Sequence, residues 1–574
     1  MTEKRWISAT ELTKEQKTTA DTLAEAINVS PFLASLLVQR GVHDFAGAKH
    51  FFRPDLSSLH DPFLMQDMDK AVERLTTAMA KGEKILVYGD YDVDGTTSVT
   101  MFYGFLKTIY DQLDYYIPDR YIEGYGVSTQ GIDWAAENGF SLIVCLDCGI
   151  KSVDKVEYAN TLGVDFIICD HHRPGEVLPP AAAVLDPKRS DCNYPYKELT
   201  GCGVGFKFLH AFCQQNGQDL DLLYPYLDLL VVSIASDIVP ITGENRVLAY
   251  YGLRHLNTTP RVGLKALIKI AGIHNALNIQ NVVFGLGPRI NAAGRIKHAK
   301  EAVRLLLCED ETEADDFAQE INKHNSDRRK FDTSITEEAL AMIQEDVWLS
   351  GAKSTVLFKE DWHKGVIGIV ASRCIEHFHR PTIILTKSNG KAAGSARSVP
   401  GFDVYEAIEE CADLLEQFGG HTFAAGMTLP VENVEAFRRR FDEIVSSRIL
   451  PEQLTPMIEV DLELDLEDIS WKAYKVLKQM GPFGPGNMMP VFVSRGVSIA
   501  GKPAIMKEKH IKFNVYQDNS PAFTVIAFSM AHIYPDLMDG KTFDICYALD
   551  ENTFRDKTTL QFMLKDIKFH PSTP

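Results

Sequence analysis

No stretch of this 574-residue chain is apolar for the roughly 18 to 20 residues that a membrane-crossing helix needs. That excludes a helical membrane protein. The opening, Met1-Thr-Glu-Lys-Arg-Trp6, is polar and has no apolar run behind it, so no secretory signal is read there. Positive charge is in deficit, with 59 Lys and Arg against 78 Asp and Glu and a formal net charge of −19. Phosphate binding is driven by Lys and Arg, so the total argues against a nonspecific nucleic-acid coat. Any nucleic-acid surface has to be local. The ten cysteines are scattered without a compact framework, which fits a reducing cytoplasm and predicts a cytoplasmic location. There is no internal repeat and no low-complexity tract. What remains reads as a globular chain of three or more domains.

The hydrophobic pattern divides the chain. Residues 1–60 read as a helical lead-in followed by an α/β domain over 61–305. There, short apolar runs (Ile85–Tyr88, Tyr115–Ile117, Leu142–Leu146, Phe166–Cys169) alternate with helical segments (Thr96–Ile109, Trp134–Asn138, Val153–Leu162). This rhythm predicts a parallel, doubly wound sheet with its ligands beyond the carboxyl ends of the strands. Leu222–Asp237 reads as one apolar helix, with Pro225 in its first turn. Residues 306–347 predict a long connecting helix, since 310–347 contain no Gly or Pro. A second α/β unit follows over 348–450. Residues 455–574 carry short alternating runs rich in β-branched and aromatic residues, which predicts a small terminal β-barrel.

Chemistry concentrates at the strand ends. In Val87-Tyr-Gly-Asp-Tyr-Asp-Val-Asp-Gly95, Asp90, Asp92 and Asp94 alternate, so two of the three can face one site. Gly95 permits the turn and Thr96 can cap the next helix. A calcium loop starting at Asp90 would need a Glu at its twelfth position, which is Met101. Asp147 follows one apolar run, Asp170-His171-His172 another, and Asp237 ends an apolar helix. Carboxylates with one imidazole suit a pair of hard divalent cations, the usual machinery for cutting a phosphodiester. Each position alone has a plainer reading as a helix cap or loop residue. Cys145 and Cys148 form a CxxC, but Cys145 lies inside an apolar strand, so both are read as structural.

Asp90-Tyr-Asp-Val-Asp-Gly95, Asp147-Cys-Gly-Ile150, Asp170-His-His172 and Ser236-Asp237 resemble the four motifs of the DHH phosphoesterase superfamily. Trp362-His-Lys-Gly-Val-Ile-Gly-Ile-Val-Ala-Ser-Arg373, Gly394-Ser-Ala-Arg-Ser398 and Phe418-Gly-Gly-His-Thr-Phe-Ala-Ala-Gly426 resemble the DHH-associated domain. Pro482-Phe-Gly-Pro-Gly-Asn487 and His510-Ile-Lys-Phe513 resemble the segment leading into a terminal OB-fold. The resemblance runs from about residue 60 to the C-terminus. It places the chain in the branch of the superfamily that degrades single-stranded DNA 5′→3′ to mononucleotides in recombination and repair. It implies two divalent cations, Mn²⁺ or Mg²⁺, held by Asp92, Asp94, Asp147, His171 and Asp237, with Asp147 bridging. The superfamily often has a His four residues before the first ligand. Here that position is Tyr88, so one ion is expected to lack an imidazole; the role of Asp90 stays open. The resemblance also implies that His172 and Arg289 act on the scissile phosphate, and that Arg120, Ser395, Arg397 and His421 bind the strand and its 5′-phosphate. Trp362 and His363 would order the interface between lobes. Lys512, Phe513, Phe528 and Phe554 are candidates for strand binding on the barrel. The runs Asn325 to Lys330 and Arg438 to Arg440 are candidate basic patches. The expected partners are single-stranded DNA, a helicase and a single-stranded-DNA-binding protein, for a monomer with no membrane contact. A dinucleotide phosphodiesterase would share the metal site without needing 455–574. Length and the second lobe disfavour a pyrophosphatase, and the intact ligand set disfavours an inactive scaffold.

Overall fold

The computed structural model describes residues 4–8, 11–555 and 557–570. The chain opens with β1 (Arg5–Ser8) and helices α1 (Lys14–Ile27), α2 (Pro31–Gln39) and α3 (Phe45–Phe52). The catalytic lobe contains α4 (Met68–Lys81), β2 (Lys84–Gly89), α5 (Val93–Lys107), β3 (Leu113–Tyr116), α6 (Thr129–Glu137), β4 (Phe140–Leu146), α7 (Val153–Thr161), β5 (Asp165–Cys169) and β6 (Ala183–Leu185). Its strands are all parallel in the order β3-β2-β4-β5-β6. The chain steps from β2 outward to β3, then returns past β2 to β4. The crevice at the ends of β2 and β4 is therefore the switch point of the sheet, where α/β folds place their ligands. Residues alternate along the strands as a doubly covered sheet requires. Ile85, Val87, Leu142 and Val144 enter one apolar core, and Leu86, Tyr88, Ile143 and Cys145 the other.

Helices α8 (Gly201–Gln215), α9 (Leu227–Ser236), α10 (Gly243–Thr258) and α11 (Val262–Ile270) pack onto the first of these cores. The expected single helix over Leu222–Asp237 is two elements. A 3₁₀ segment, Leu220–Tyr226, contains Pro225, and α9 starts only at Leu227. Proline lacks the N–H that a continuous α-helix would use there. A short α12 (Ile279–Asn281) runs through wide π-helical turns into α13 (Gly287–Ile296), followed by α14 (Lys300–Leu307). The predicted connector is α15 (Glu311–Glu345), a 35-residue helix about 50 Å long.

After the short α16 (Val347–Gly351), the second lobe comprises β7 (Thr355–Phe358), α17 (Ile367–Phe378), β8 (Thr382–Ser388), β9 (Lys391–Arg397), α18 (Val404–Glu409), β10 (Gln417–His421), β11 (Ala424–Leu429) and α19 (Val434–Arg448). Its sheet runs β10-β11-β9-β8-β7, with only β7 and β8 parallel. The C-terminal part contains β12 (Met457–Val460), β13 (Leu462–Glu463), α20 (Trp471–Gln479), β14 (Phe492–Met506), β15 (His510–Tyr516), β16 (Phe523–Ala527), α21 (Tyr534–Met538), β17 (Phe543–Phe554) and β18 (Lys557–Phe569). Its strand order is β13-β14-β15-β16-β18-β17, and β17 pairs back with β14, closing the barrel.

The N-terminal helices are not a free-standing lead-in. Leu33, Leu36 and Leu37 share one core with Phe492, Phe513, Phe543 and Tyr547 of the barrel. β1 pairs in parallel with β12. Helices as apolar as α2, buried over six of nine positions, need a partner surface. The barrel supplies it from more than 400 residues away.

Candidate active site

The sequence places acids where β2, β4 and β5 end, and the parallel sheet brings those ends together. Asp92 is the N-cap of α5, its side chain accepting from Gly95 N at 3.1 Å. Thr96, expected to be the cap, instead donates from its hydroxyl to Asp92 O within the first turn. The capping reading and the metal reading of this loop thus fall on the same carboxylate. Asp94 is aimed by its neighbours. Oδ2 accepts from Gly201 N at 2.7 Å, and Oδ1 accepts from Cys202 N at 2.9 Å and from Ser233 Oγ at 2.7 Å. The start of α8 therefore fixes one candidate ligand of the loop after β2.

Asp147 follows β4 in a left-handed conformation (φ 61°), unusual for a residue with a side chain. Its backbone N–H donates to Cys169 O at 2.8 Å. After β5, Asp170 accepts from Ile150 N, His171 N and His172 N, so one buried carboxylate shapes the His-His turn. His171 Nε2 then lies 3.2 Å from Asp147 Oδ1, 3.7 Å from Asp94 Oδ2 and 3.6 Å from Asp237 Oδ2. Three overlapping groups of ligand atoms result, Asp94, His171 and Asp237 in one, Asp90, Asp92 and Asp147 in another, and Asp147, His171 and His172 in the third, each within 4.8 Å.

The electrostatics suit a cation. Burial first, and then the neighbouring acids, push Asp90 and Asp147 well above the ordinary carboxylate range. Asp237 is pushed up to about 8 by burial, Asp94 and Asp92. Burial lowers His171, which favours the neutral imidazole that ligates metals. Asp90 Oδ1, Asp147 Oδ1 and both ring nitrogens of His171 are buried without a hydrogen-bond partner. Orphaned buried oxygen and nitrogen atoms around shared space are what a pair of hard divalent cations satisfies. The donor set fits.

Tyr88 does not join this cluster. Its ring stacks on Tyr116 in the opposite core, and its hydroxyl donates to Gly126 O and accepts from Ser128 N. Asp90 lies with Asp92 and Asp147 instead, so three carboxylates gather on that side. His172 Nδ1 is 2.8 Å from Asp170 Oδ1. Burial works against its charge, but the bond to Asp170 and that carboxylate's charge prevail and raise it to about 9. Its other nitrogen is 3.3 Å from Tyr125 Oη.

Arg289 is buried in α13, with Nε on Asn322 Oδ1 at 3.0 Å and Nη1 on Gly285 O at 2.6 Å. Among the described residues its hydrogen-bond partners are an amide and a backbone carbonyl, with no carboxylate among them. A Cβ added to Gly287 would lie 2.8 Å from Ser236 Oγ, so the start of α13 abuts the residue before Asp237.

Beside the cluster, a cleft of about 470 Å³ opens between the lobes. Arg120, Arg295, Lys364, Ser395 and Arg397 line it, together with Tyr91 and Phe418. Among the described residues no Asp or Glu does. Burial lowers Arg397, and burial together with Arg120 and Arg328 lowers Arg295 to about 10. These guanidiniums crowd one another without acids, as at a site built for an anion. Arg295 and Lys364 were not singled out in the sequence, because only lobe packing brings them to Arg120. His421, at the end of β10, is exposed and does not line this cleft. The charges it feels are Lys151, His172 and Lys188, which places it toward the catalytic lobe.

Trp362 is buried with Nε1 on Glu338 of α15, and the ring of His363 stacks on Phe331. Phe513 is core, whereas Phe528 and Phe554 are exposed on the barrel. The Arg438 to Arg440 patch is neutralised by Asp346, Glu435 and Asp413. Cys145 and Cys148 are buried thiols with sulfurs 3.3 Å apart.

Parallel sheet, carboxylate–imidazole cluster and facing cationic lobe define a metal-dependent phosphoesterase of the DHH class. Residues 84–234 match the DHH family N-terminal domain, 351–447 the DHHA1 domain and 460–566 the RecJ OB domain. The chain is 38% identical to the single-stranded-DNA-specific exonuclease RecJ of Bacillus subtilis, over 98% of this chain and 70% of that protein. It is 33% identical to the RecJ of Salmonella typhimurium, over 96% of this chain and 98% of that one. Its structure is similar to that of RecJ from Thermus thermophilus in complex with Mn²⁺, with a TM-score of 0.84 and 27% identity over 99% of this chain and 80% of that chain. The chain belongs to the RecJ family.

Proposed function

We propose that this protein is a metal-dependent exonuclease specific for single-stranded DNA, which it degrades from the 5′ end to mononucleotides in recombination and repair. The observation that carries the reading is a cluster of acids and one imidazole next to an acid-free cleft lined by cations. Relatives that span nearly the whole chain are named as such exonucleases.

Asp90, Asp92 and Asp147 would hold one divalent cation, and Asp94, His171 and Asp237 a second, with Asp147 shared. Mn²⁺ or Mg²⁺ bound there would lower the pKa of a water and offset charge on the leaving oxygen. His172, whose bond to the Asp170 carboxylate favours its charged form, is suited to donate to a nonbridging oxygen or to give its proton to the leaving group. Arg289, pinned by Asn322 and Gly285 and free of acids, supports the charge that builds on phosphate. Arg120, Ser395 and Arg397, with Arg295 and Lys364, hold the 5′-phosphate, which sets the distance from the end to the scissile bond. Exposed Phe528 and Phe554 are faces on which bases beyond the active site can stack. His421 contacts the strand near the catalytic lobe. A helicase and a single-stranded-DNA-binding protein would supply and protect the strand for the monomeric enzyme.

Competition between a dinucleotide and long single-stranded DNA tests this reading against a small-substrate phosphodiesterase. The long strand is expected to be the better substrate by kcat/KM. A clearly better dinucleotide would overturn the proposal.

A further inference from the structure

A second cluster with ligand chemistry lies outside the catalytic centre, where the connecting helix leaves the catalytic lobe. Glu301 is on α14, and Glu320 and His324 are on α15. Glu320 and His324 are four residues apart and therefore share one face of the helix. One ligand atom from each of the three lies within 4.8 Å of the others. His324 is 7% exposed at its side chain, and its Nε2 is 3.3 Å from Glu301 Oε2. Neither atom makes a hydrogen bond, and both are buried. A simple imidazole–carboxylate pair would be expected to satisfy both atoms, since buried polar groups are nearly always bonded. Here the two atoms lie within ion-pair distance, yet neither has a hydrogen-bond partner.

We propose that Glu301, Glu320 and His324 bind a divalent transition-metal ion, of the zinc or manganese type, distinct from the catalytic pair. One imidazole and two carboxylates suit a borderline cation. With ligands at about 2.0 to 2.2 Å in a tetrahedron, ligand atoms lie roughly 3.3 to 3.6 Å apart. His324 Nε2 and Glu301 Oε2 already have this spacing. Glu320, exposed on the same helix face, already brings a carboxylate oxygen within 4.8 Å of them, which would leave the fourth position to water.

The placement gives the ion a task. Two residues before His324, Asn322 holds Nε of Arg289. A metal joining α14 to α15 therefore fixes the turn of α15 that anchors this arginine, and ties the connecting helix to the catalytic lobe. The ion is a positioning element and touches no substrate.

The test uses the full chain carrying Asp147→Asn and His171→Ala, which disable the catalytic cluster. The protein is stripped with chelator and titrated with Zn²⁺, and separately with Mn²⁺, by calorimetry. About one equivalent of one of these ions is expected to bind, with a matching rise in Tm. Adding Glu320→Gln should weaken binding by more than the roughly 10- to 100-fold expected for loss of a supporting partner alone. Glu320 is exposed, so this change leaves the fold intact, as circular dichroism would verify. Absence of binding by either ion in the double variant would overturn the proposal and leave a Glu301–His324 ion pair. Binding that Glu320→Gln does not change would overturn it equally, by placing the ion elsewhere.

Discussion

Replacing Gly201 by alanine should damage catalysis although Gly201 is neither a ligand nor a loop residue. It is the first residue of α8, and alanine normally stabilises a helix over glycine by about 1 kcal/mol. Propensity alone therefore predicts a neutral or stabilising change. The packing predicts the opposite. An added Cβ would lie 2.5 Å from Asp147 Cβ, 2.7 Å from its Cα and 2.8 Å from its Oδ1. Ordinary contact begins at 3.4 Å, so the methyl is about 0.6 to 0.9 Å short of space. Asp147 cannot yield freely, because its N–H is bonded to Cys169 O and its backbone is already left-handed. If α8 yields instead, Gly201 N moves away from Asp94 Oδ2. Either way a candidate metal ligand shifts by a large fraction of an ångström. Misplacement on this scale lowers rates by about 10²-fold, while overpacking reduces stability by about 1 to 3 kcal/mol. The assay is nucleotide release from single-stranded DNA across a Mn²⁺ series, where half-maximal activity should also need more metal. Gly203→Ala, two residues on, meets only the side chains of Leu199 and Thr200 at 3.3 to 3.5 Å, and should keep activity within about twofold. Gly201→Ala activity that matched Gly203→Ala would refute this reasoning.

Two further outcomes are expected. The metal-free protein should lose stability as pH rises, because Asp237 is raised from 3.8 to about 8 and Asp90 and Asp147 are raised as well. The folded state then holds more protons than the unfolded chain across that window, so stability is greatest at its acidic end and falls toward pH 8. Saturating Mn²⁺ should remove most of the slope, and a flat Tm profile in chelator would contradict this account. Arg295→Met should keep the bulk of the side chain but lower kcat/KM for 5′-phosphorylated strands by roughly 10- to 150-fold, in line with about 1.5 to 3 kcal/mol for a charge-assisted bond. Strands with a 5′-hydroxyl should be affected far less, and equal loss on both substrates would place Arg295 outside the phosphate site.

The catalytic lobe was legible because its code is local. Each apolar run that ends in an acid or imidazole is a strand delivering a side chain to the carboxyl edge of the sheet, and Asp92, Asp94, Asp147 and His171 follow from that rule. The 35-residue connector was legible from the absence of Gly and Pro. Arg295 and Lys364 were not, since the cleft they line exists only after the lobes meet. Asp90 was ambiguous because alternation leaves open which two of three acids share a face; in the fold Asp90 and Asp92 lie with Asp147, and Asp94 with His171 and Asp237. The docking of α2 on the barrel carries no sequence signature beyond an unusually apolar helix. Arg438 to Arg440 read as a patch only until acids distant in sequence, Asp346 and Asp413, neutralise two of the three.

The central claim is that a 5′-phosphate anchor feeds single strands into a two-metal centre. Its most direct test is one single-stranded oligonucleotide, 5′-phosphorylated and labelled at either end, digested with Mn²⁺ and sampled before completion. The account predicts labelled mononucleotide at once from the 5′-labelled strand, and a ladder of shortening products from the 3′-labelled strand. Mononucleotide released first from the 3′ label would contradict it.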